Sequence, residues 1–124
     1  MWAKERSFLW PESVAISIQL ETYSVCFVPG VRQAHILGLD LAVFRTSTGK
    51  LGIIDAYCPH LGANLAAGGT VEGEALKCPF HGWEFNCDGK CVRVPYAKDP
   101  EKVPEEAAVK KYTCMELNDQ ILLW

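Results

Sequence analysis

The sequence predicts an all-β domain, a small antiparallel sandwich or barrel. Two observations carry that expectation. Short stretches of alternating or β-branched apolar residues recur at close spacing, each bounded by Gly, Pro, Asn or Asp. No stretch keeps an apolar period of 3.6 for long, so no extended helix competes with the pattern. The 124 residues suffice for one domain with a modest core.

Taken in order, Ser13–Val28 alternates in VAISIQ and YSVCFV and stops at Pro29-Gly30, a turn signal. Cys26 within it reads as a small core residue. Residues 1–30 are expected to form a divergent N-terminal segment holding the first strands, and 31–124 the main domain. Arg32–Leu37 and Leu41–Arg45 read as strands joined at Gly38, and Thr46-Ser47-Thr48-Gly49-Lys50 as the turn into a strand over Leu51–Tyr57. Gly68-Gly69 ends an excursion, after which Ala75–Lys77 resumes as a strand. Trp83–Cys87 and Cys91–Val94 flank Asp88-Gly89-Lys90, a strong hairpin triplet. A polar, Pro-containing connector from Lys98 to Glu106 leads to a last hairpin, Val109–Glu116 with Gln120–Trp124 around Asn118-Asp119.

Composition narrows the function. Apolar residues make up 49% and charged residues 22%, with a net charge of −3 spread along the chain, which argues against a nucleic-acid partner. The opening MWAKERSFLWPE lacks the apolar core of a signal peptide, and Val14–Leu20 is too short to cross a bilayer. A cytoplasmic protein, or one on the cytoplasmic face of a membrane, is expected. Six Cys in such a setting point to metal chemistry rather than disulfides; Cys87 and Cys91 flank their turn, where a cross-strand pair is possible, and in a reducing compartment they read as free thiols.

Two short clusters carry the chemistry: Cys58-Pro59-His60 and Cys78-Pro79-Phe80-His81, with 17 residues between them. Each offers one thiolate and one imidazole. Zinc fingers group a Cys pair and then a His pair, whereas alternation suits a [2Fe–2S] centre whose two irons take two Cys and two His. Pro59 and Pro79 restrict the backbone and remove a donor, and Gly62 and Gly82 allow close approach to a bulky cluster. The candidate ligands are therefore Cys58, His60, Cys78 and His81. A structural zinc module held by the same four side chains is the alternative.

The segments DLAVFR (40–45), DAYCPHLGANL (55–65), CPFHGWEF (78–85), DGKC (88–91) and VPY (94–96) resemble the Rieske [2Fe–2S] domain of oxygenases. Within that group they are most similar to the cholesterol 7-desaturase (Neverland-type) oxygenases of steroid metabolism. The resemblance implies the Rieske iron–sulfur fold, a small β-sandwich or barrel with a cluster-binding subdomain of two loops. It implies that Cys58 and Cys78 bind one iron and His60 and His81 the other, each through one ring nitrogen. Leu61 and Trp83 would shield the cluster, and Pro95 would lie in the loop covering it. Respiratory Rieske proteins carry a disulfide where this chain has Ala63 and Phe80, and hydroxyl donors where it has Trp83 and Phe85. Losing hydrogen bonds to sulfur lowers the potential, so the expected value is at the low end of the Rieske range, about −150 mV.

The same resemblance implies electron transfer: electrons from an NAD(P)H-linked reductase pass to a mononuclear iron oxygenase domain or subunit. That iron takes two His and one carboxylate, while only His35 remains here outside the two clusters, and it reads as a surface or packed residue. The chain is accordingly expected to lack the C-terminal catalytic domain, with any membrane contact arising outside it. A stand-alone Rieske ferredoxin serving a separate oxygenase fits the same residues.

Overall fold

The computed structural model describes residues 16–18, 29–117 and 120–123, and among them every regular element is a strand. Among the described residues, ten strands form three antiparallel sheets. The first joins β1 (Ile16–Ile18), β10 (Gln120–Leu123) and β9 (Cys114–Leu117), so the two ends of the chain pair, Ile16 with Leu123 and Ile18 with Ile121. The second is β2 (Gly30–Ile36), β3 (Leu39–Arg45) and β4 (Leu51–Asp55). The third runs in order through β5 (Thr70–Glu72), β6 (Ala75–Lys77), β7 (Glu84–Phe85) and β8 (Cys91–Arg93).

Strand β3 is the keel. It lies between β2 and β4 and is covered on both faces, which explains its near-continuous apolar run. Successive side chains point to opposite faces of a strand. Leu41 and Val43 join Ile53, Ala34, Ile121 and Leu123 in one core beneath the first sheet. Ala42 and Phe44 join Ile54, Leu65, Leu76, Phe85, Cys58 and Cys78 in the other. The second core ties the candidate ligand loops to the body of the domain: the two thiols are part of the packed interior, not appended to it. Arg45, itself buried, closes the end of β3 by donating to Glu116 of β9 and to the Gly49 carbonyl at 2.8 Å.

Turn chemistry explains the connections. Leu37 (φ 50°) and Gly38 (φ 80°) make the two-residue turn between β2 and β3. Asn86 Oδ1 accepts from the amides of Asp88 (2.9 Å) and Lys90 (3.1 Å), shaping the turn between β7 and β8. Gly89 in that turn has φ 77°, and a Cβ there would stand 2.2 Å from the Val109 carbonyl oxygen. Only glycine fits.

Several strands are shorter than the sequence predicts. β4 stops at Asp55 because Ala56 donates to the Asp40 carbonyl and Tyr57 pairs with Asn64 in a lone bridge, turning the chain into the first ligand loop. β7 starts after Trp83, whose carbonyl is taken by the Cys78 amide at 2.7 Å. The expected strand over Val109–Glu116 begins only at Cys114. Upstream, its backbone is stitched singly to Gly89, Asp55 and Ile53. β5 was not anticipated, being short and polar with Thr70 and Glu72 exposed. The expected role of Cys26, most of the 13–28 alternation and the Asn118-Asp119 turn lie outside the described residues.

Candidate metal centre

The two ligand loops are copies of one backbone device. In the first, the Cys58 amide donates to the Ala63 carbonyl (2.8 Å) and the Gly62 amide to the Cys58 carbonyl (2.8 Å). In the second, the Cys78 amide donates to Trp83 (2.7 Å) and the Gly82 amide to Cys78 (3.2 Å). Gly62 and Gly82 share the same φ, 78°, which L-residues adopt only with strain. The histidines sit one position apart within the copies, second after Cys58 and third after Cys78. The loops are thus alike in backbone and offset in side chain.

That arrangement sorts the donors by chemistry. Cys58 and Cys78 are almost fully buried at 2% and 3% exposure, while His60 is half-buried and His81 exposed, their ring centroids 4.9 Å apart. Burial pushes the Cys58 thiol up to about 11. The His60 and Leu61 amides pull the other way, and the Cys78 thiol beside it opposes a second anionic sulfur. An iron cation reverses that penalty by neutralising the thiolate. The Phe80 amide lies 3.5 Å from Cys78 Sγ. Backbone amides are therefore the donors to sulfur at this site, where Trp83 and Phe85 offer no hydroxyl. Phe85 is fully buried, and the indole of Trp83 is turned elsewhere.

Aromatic rings wall the imidazoles. Trp83 stacks on His60 with centroids 4.5 Å apart and planes 9° from parallel. Phe80 lies 4.1 Å from His81. Pro95 does reach the second loop: a Cβ on Gly82 would come within 3.2 Å of its ring. Leu61, expected to shield the site, is 63% exposed beside His60. Tyr96 is the residue whose role sequence reasoning missed. Its hydroxyl accepts from Trp83 Nε1 at 2.7 Å and lies 3.4 Å from His60 Nε2. The signal was present in VPY, beside the covering Pro95, without an assignment.

Other titratable side chains lie away from the two loops. His35 is an exposed residue of β2 whose Nδ1 lies 2.6 Å from Asp40 Oδ1. Hydrogen bonds from His35 and then Tyr57 hold the Asp40 carboxyl below its ordinary range. Cys87, Cys91 and Cys114 are free thiols. Among the described residues no three His, Cys, Asp or Glu side chains converge as a single metal ion requires. The four candidates instead form a sulfur pair and an imidazole pair. Two sulfurs side by side and two imidazoles side by side are a donor set that fits a two-iron group.

Residues 21–113 match the family described as the Rieske [2Fe–2S] domain, and this chain belongs to that family. It is a carrier of a Rieske-type [2Fe–2S] cluster, whose chemistry is one-electron transfer. Among curated relatives, "Cholesterol 7-desaturase nvd" of Xenopus laevis is 54% identical over 98 residues, covering 77% of this chain and 21% of that protein. "Cholesterol 7-desaturase nvd 1" of Ciona intestinalis is 53% identical over 97 residues (77% and 20%). The oxygenase component of a 3-ketosteroid-9-alpha-monooxygenase from Rhodococcus rhodochrous is 41% identical over 92 residues (74% and 23%). Among solved structures, NdmA of Pseudomonas putida CBB5 matches at TM-score 0.69 and 30% identity over 77% of this chain and 28% of its own. Apo dicamba monooxygenase matches at TM-score 0.67 and 31% identity, covering 77% and 28%. The chain spans about a fifth of the length of the curated relatives it matches. Among the described residues, no helix is long and apolar enough to cross a membrane.

Proposed function

We propose that Cys58 and Cys78 hold one iron and His60 and His81 the other, and that this chain is the electron-carrying part of a Rieske-type oxygenase acting on sterols. The mirrored loops carry the ligand assignment: they bury two sulfurs together and present two imidazoles together at the surface. Burial of the thiols keeps water from the sulfur side. The exposed edge of His81 gives electrons a short route out through the ligand ring. An NAD(P)H-linked reductase supplies one electron at a time, and a mononuclear iron site in another domain or subunit spends them on oxygen. The sterol substrate is drawn from the names of the relatives, several of which are cholesterol 7-desaturases. Residues 31–124 are assigned to the cluster-bearing unit and 1–30 to a divergent N-terminal segment that supplies its first strand, β1.

The test is reconstitution of the purified chain with iron and sulfide under anaerobic conditions, followed by metal and sulfide assays, absorption and reduced-state EPR. Equal iron and acid-labile sulfide with a rhombic Rieske spectrum is the expected result. A colourless protein holding zinc and no sulfide would overturn it. Sterol specificity is tested separately, by expressing the chain within a longer protein that contains the mononuclear site and assaying sterol desaturation.

A further inference from the structure

We infer that Tyr96 is a positioning residue for His60: its hydroxyl oxygen accepts the Nε2 hydrogen of the imidazole and, anchored by the Trp83 indole, makes that ring a more electron-rich iron ligand. The inference rests on the ligand assignment proposed above. Trp83 Nε1 can only donate, so at 2.7 Å it occupies one lone pair of the Tyr96 hydroxyl and fixes where that oxygen sits. A neutral imidazole bound to metal through Nδ1 keeps its hydrogen on Nε2. With Nδ1 on the iron, that hydrogen would sit on the nitrogen 3.4 Å from Tyr96 Oη, whose second lone pair can accept it. The phenolic hydrogen is left free to point outward, and Tyr96 is 59% exposed. Trp83 serves twice, holding Tyr96 by its N–H and His60 by its face, stacked at 4.5 Å and 9°.

Partners that accept the outer N–H of a ligating His fix its ring and raise its basicity. A more basic ligand favours the ferric state and lowers the reduction potential. The device acts on one ligand only. Among the described residues, the His81 ring has aromatic neighbours, Phe80 at 4.1 Å and Tyr96 at 6.1 Å, but no hydrogen-bond partner. The chain therefore treats its two imidazoles differently: one clamped and tuned, one open. The separation from Nε2 exceeds the usual range of about 2.7–3.2 Å, which places the effect at the modest end.

Tyr96→Phe removes one oxygen and keeps the ring. With iron and sulfide content unchanged, the equilibrium constant for one-electron reduction should rise about fourfold, about 35 mV at 59 mV per tenfold change. The nitrogen hyperfine coupling of one histidine, not both, should change in the reduced-state spectrum. Trp83→Phe keeps a stacking ring but drops the N–H that anchors the hydroxyl. It should shift the potential the same way by less, and the double variant should match Tyr96→Phe alone. An intact cluster with unchanged potential in Tyr96→Phe overturns this inference and leaves the ligand assignment standing. So does loss of the cluster in Tyr96→Phe, which would make the residue a structural support. A wild-type chain that takes up no iron and sulfide sinks the assignment and the inference together.

Discussion

Replacing Gly62 and Gly82 with alanine, one at a time, tests whether the two ligand loops are the same device in different surroundings. Both glycines have φ 78°, so each substitution incurs the same backbone strain, about 1–2 kcal/mol for a residue with a Cβ. The surroundings differ. A Cβ on Gly62 meets nothing within 4 Å, whereas one on Gly82 lies 3.2 Å from Pro95 Cγ and 3.3 Å from Lys77 Cε. The lysine end can swing aside. The proline ring is held in the turn closed by the Ala97 amide on the Val94 carbonyl and must give by a few tenths of an ångström, adding a further ~1 kcal/mol of overpacking. Gly82→Ala should therefore destabilise by about 2–3 kcal/mol and Gly62→Ala by about 1–2. The assay is urea unfolding of the reconstituted protein, followed by loss of the visible absorption of the cluster and by far-UV circular dichroism. Equal losses for the two variants would refute the claim that Pro95 packs on the second loop. Neither variant losing stability would refute the left-handed geometry assigned to both loops.

Other expectations follow from separate parts of the molecule. His81→Cys adds a second anionic ligand to its iron and should either drive the potential down towards the all-Cys range near −400 mV or expel the cluster. An intact cluster at unchanged potential, read by spectroelectrochemistry, would remove His81 from the ligand set. Gly89→Ala puts a Cβ 2.2 Å from the Val109 carbonyl and should cost more than about 2 kcal/mol, checked by thermal unfolding. Alkaline pH should weaken the metal-free fold. Burial raises the thiols of Cys87, Cys91 and Cys114, and burial with the Asp55 hydrogen bond raises Tyr112 to about 12. These groups ionise first in the unfolded chain, so their contribution is complete below the ordinary values of 9 for a thiol and 10 for a phenol and is lost as pH rises through the higher folded ones. Urea midpoints between pH 8 and 11 should fall, and fall less in Cys114→Ala combined with Tyr112→Phe. Identical slopes would count against this account.

Much of the site was legible because its chemistry is local. Cys-Pro-His and Cys-Pro-Phe-His name the proposed donors, and Gly62 and Gly82 name the left-handed residues that let each loop close on itself. Asp88-Gly89-Lys90 likewise announces its hairpin. Strand limits were less legible. Tyr57 and Trp83 look like strand residues by their side chains, but their backbones are claimed by the ligand loops, Tyr57 through its bridge to Asn64 and Trp83 through the Cys78 amide. β5 carries too little apolar pattern to declare itself.

Residues close together along the chain were enough to establish the all-β character and the two Cys-Pro loops that carry the proposed donors, since each depends on residues within a turn or strand of one another. Packing was needed to show that β3 is buried on both faces, that β1 pairs with β10 across most of the chain's length, and that Tyr96 reaches His60. Those contacts join segments far apart in sequence. Which of many apolar or aromatic residues meets which is settled by how the sheets and loops pack, not by any neighbour along the backbone.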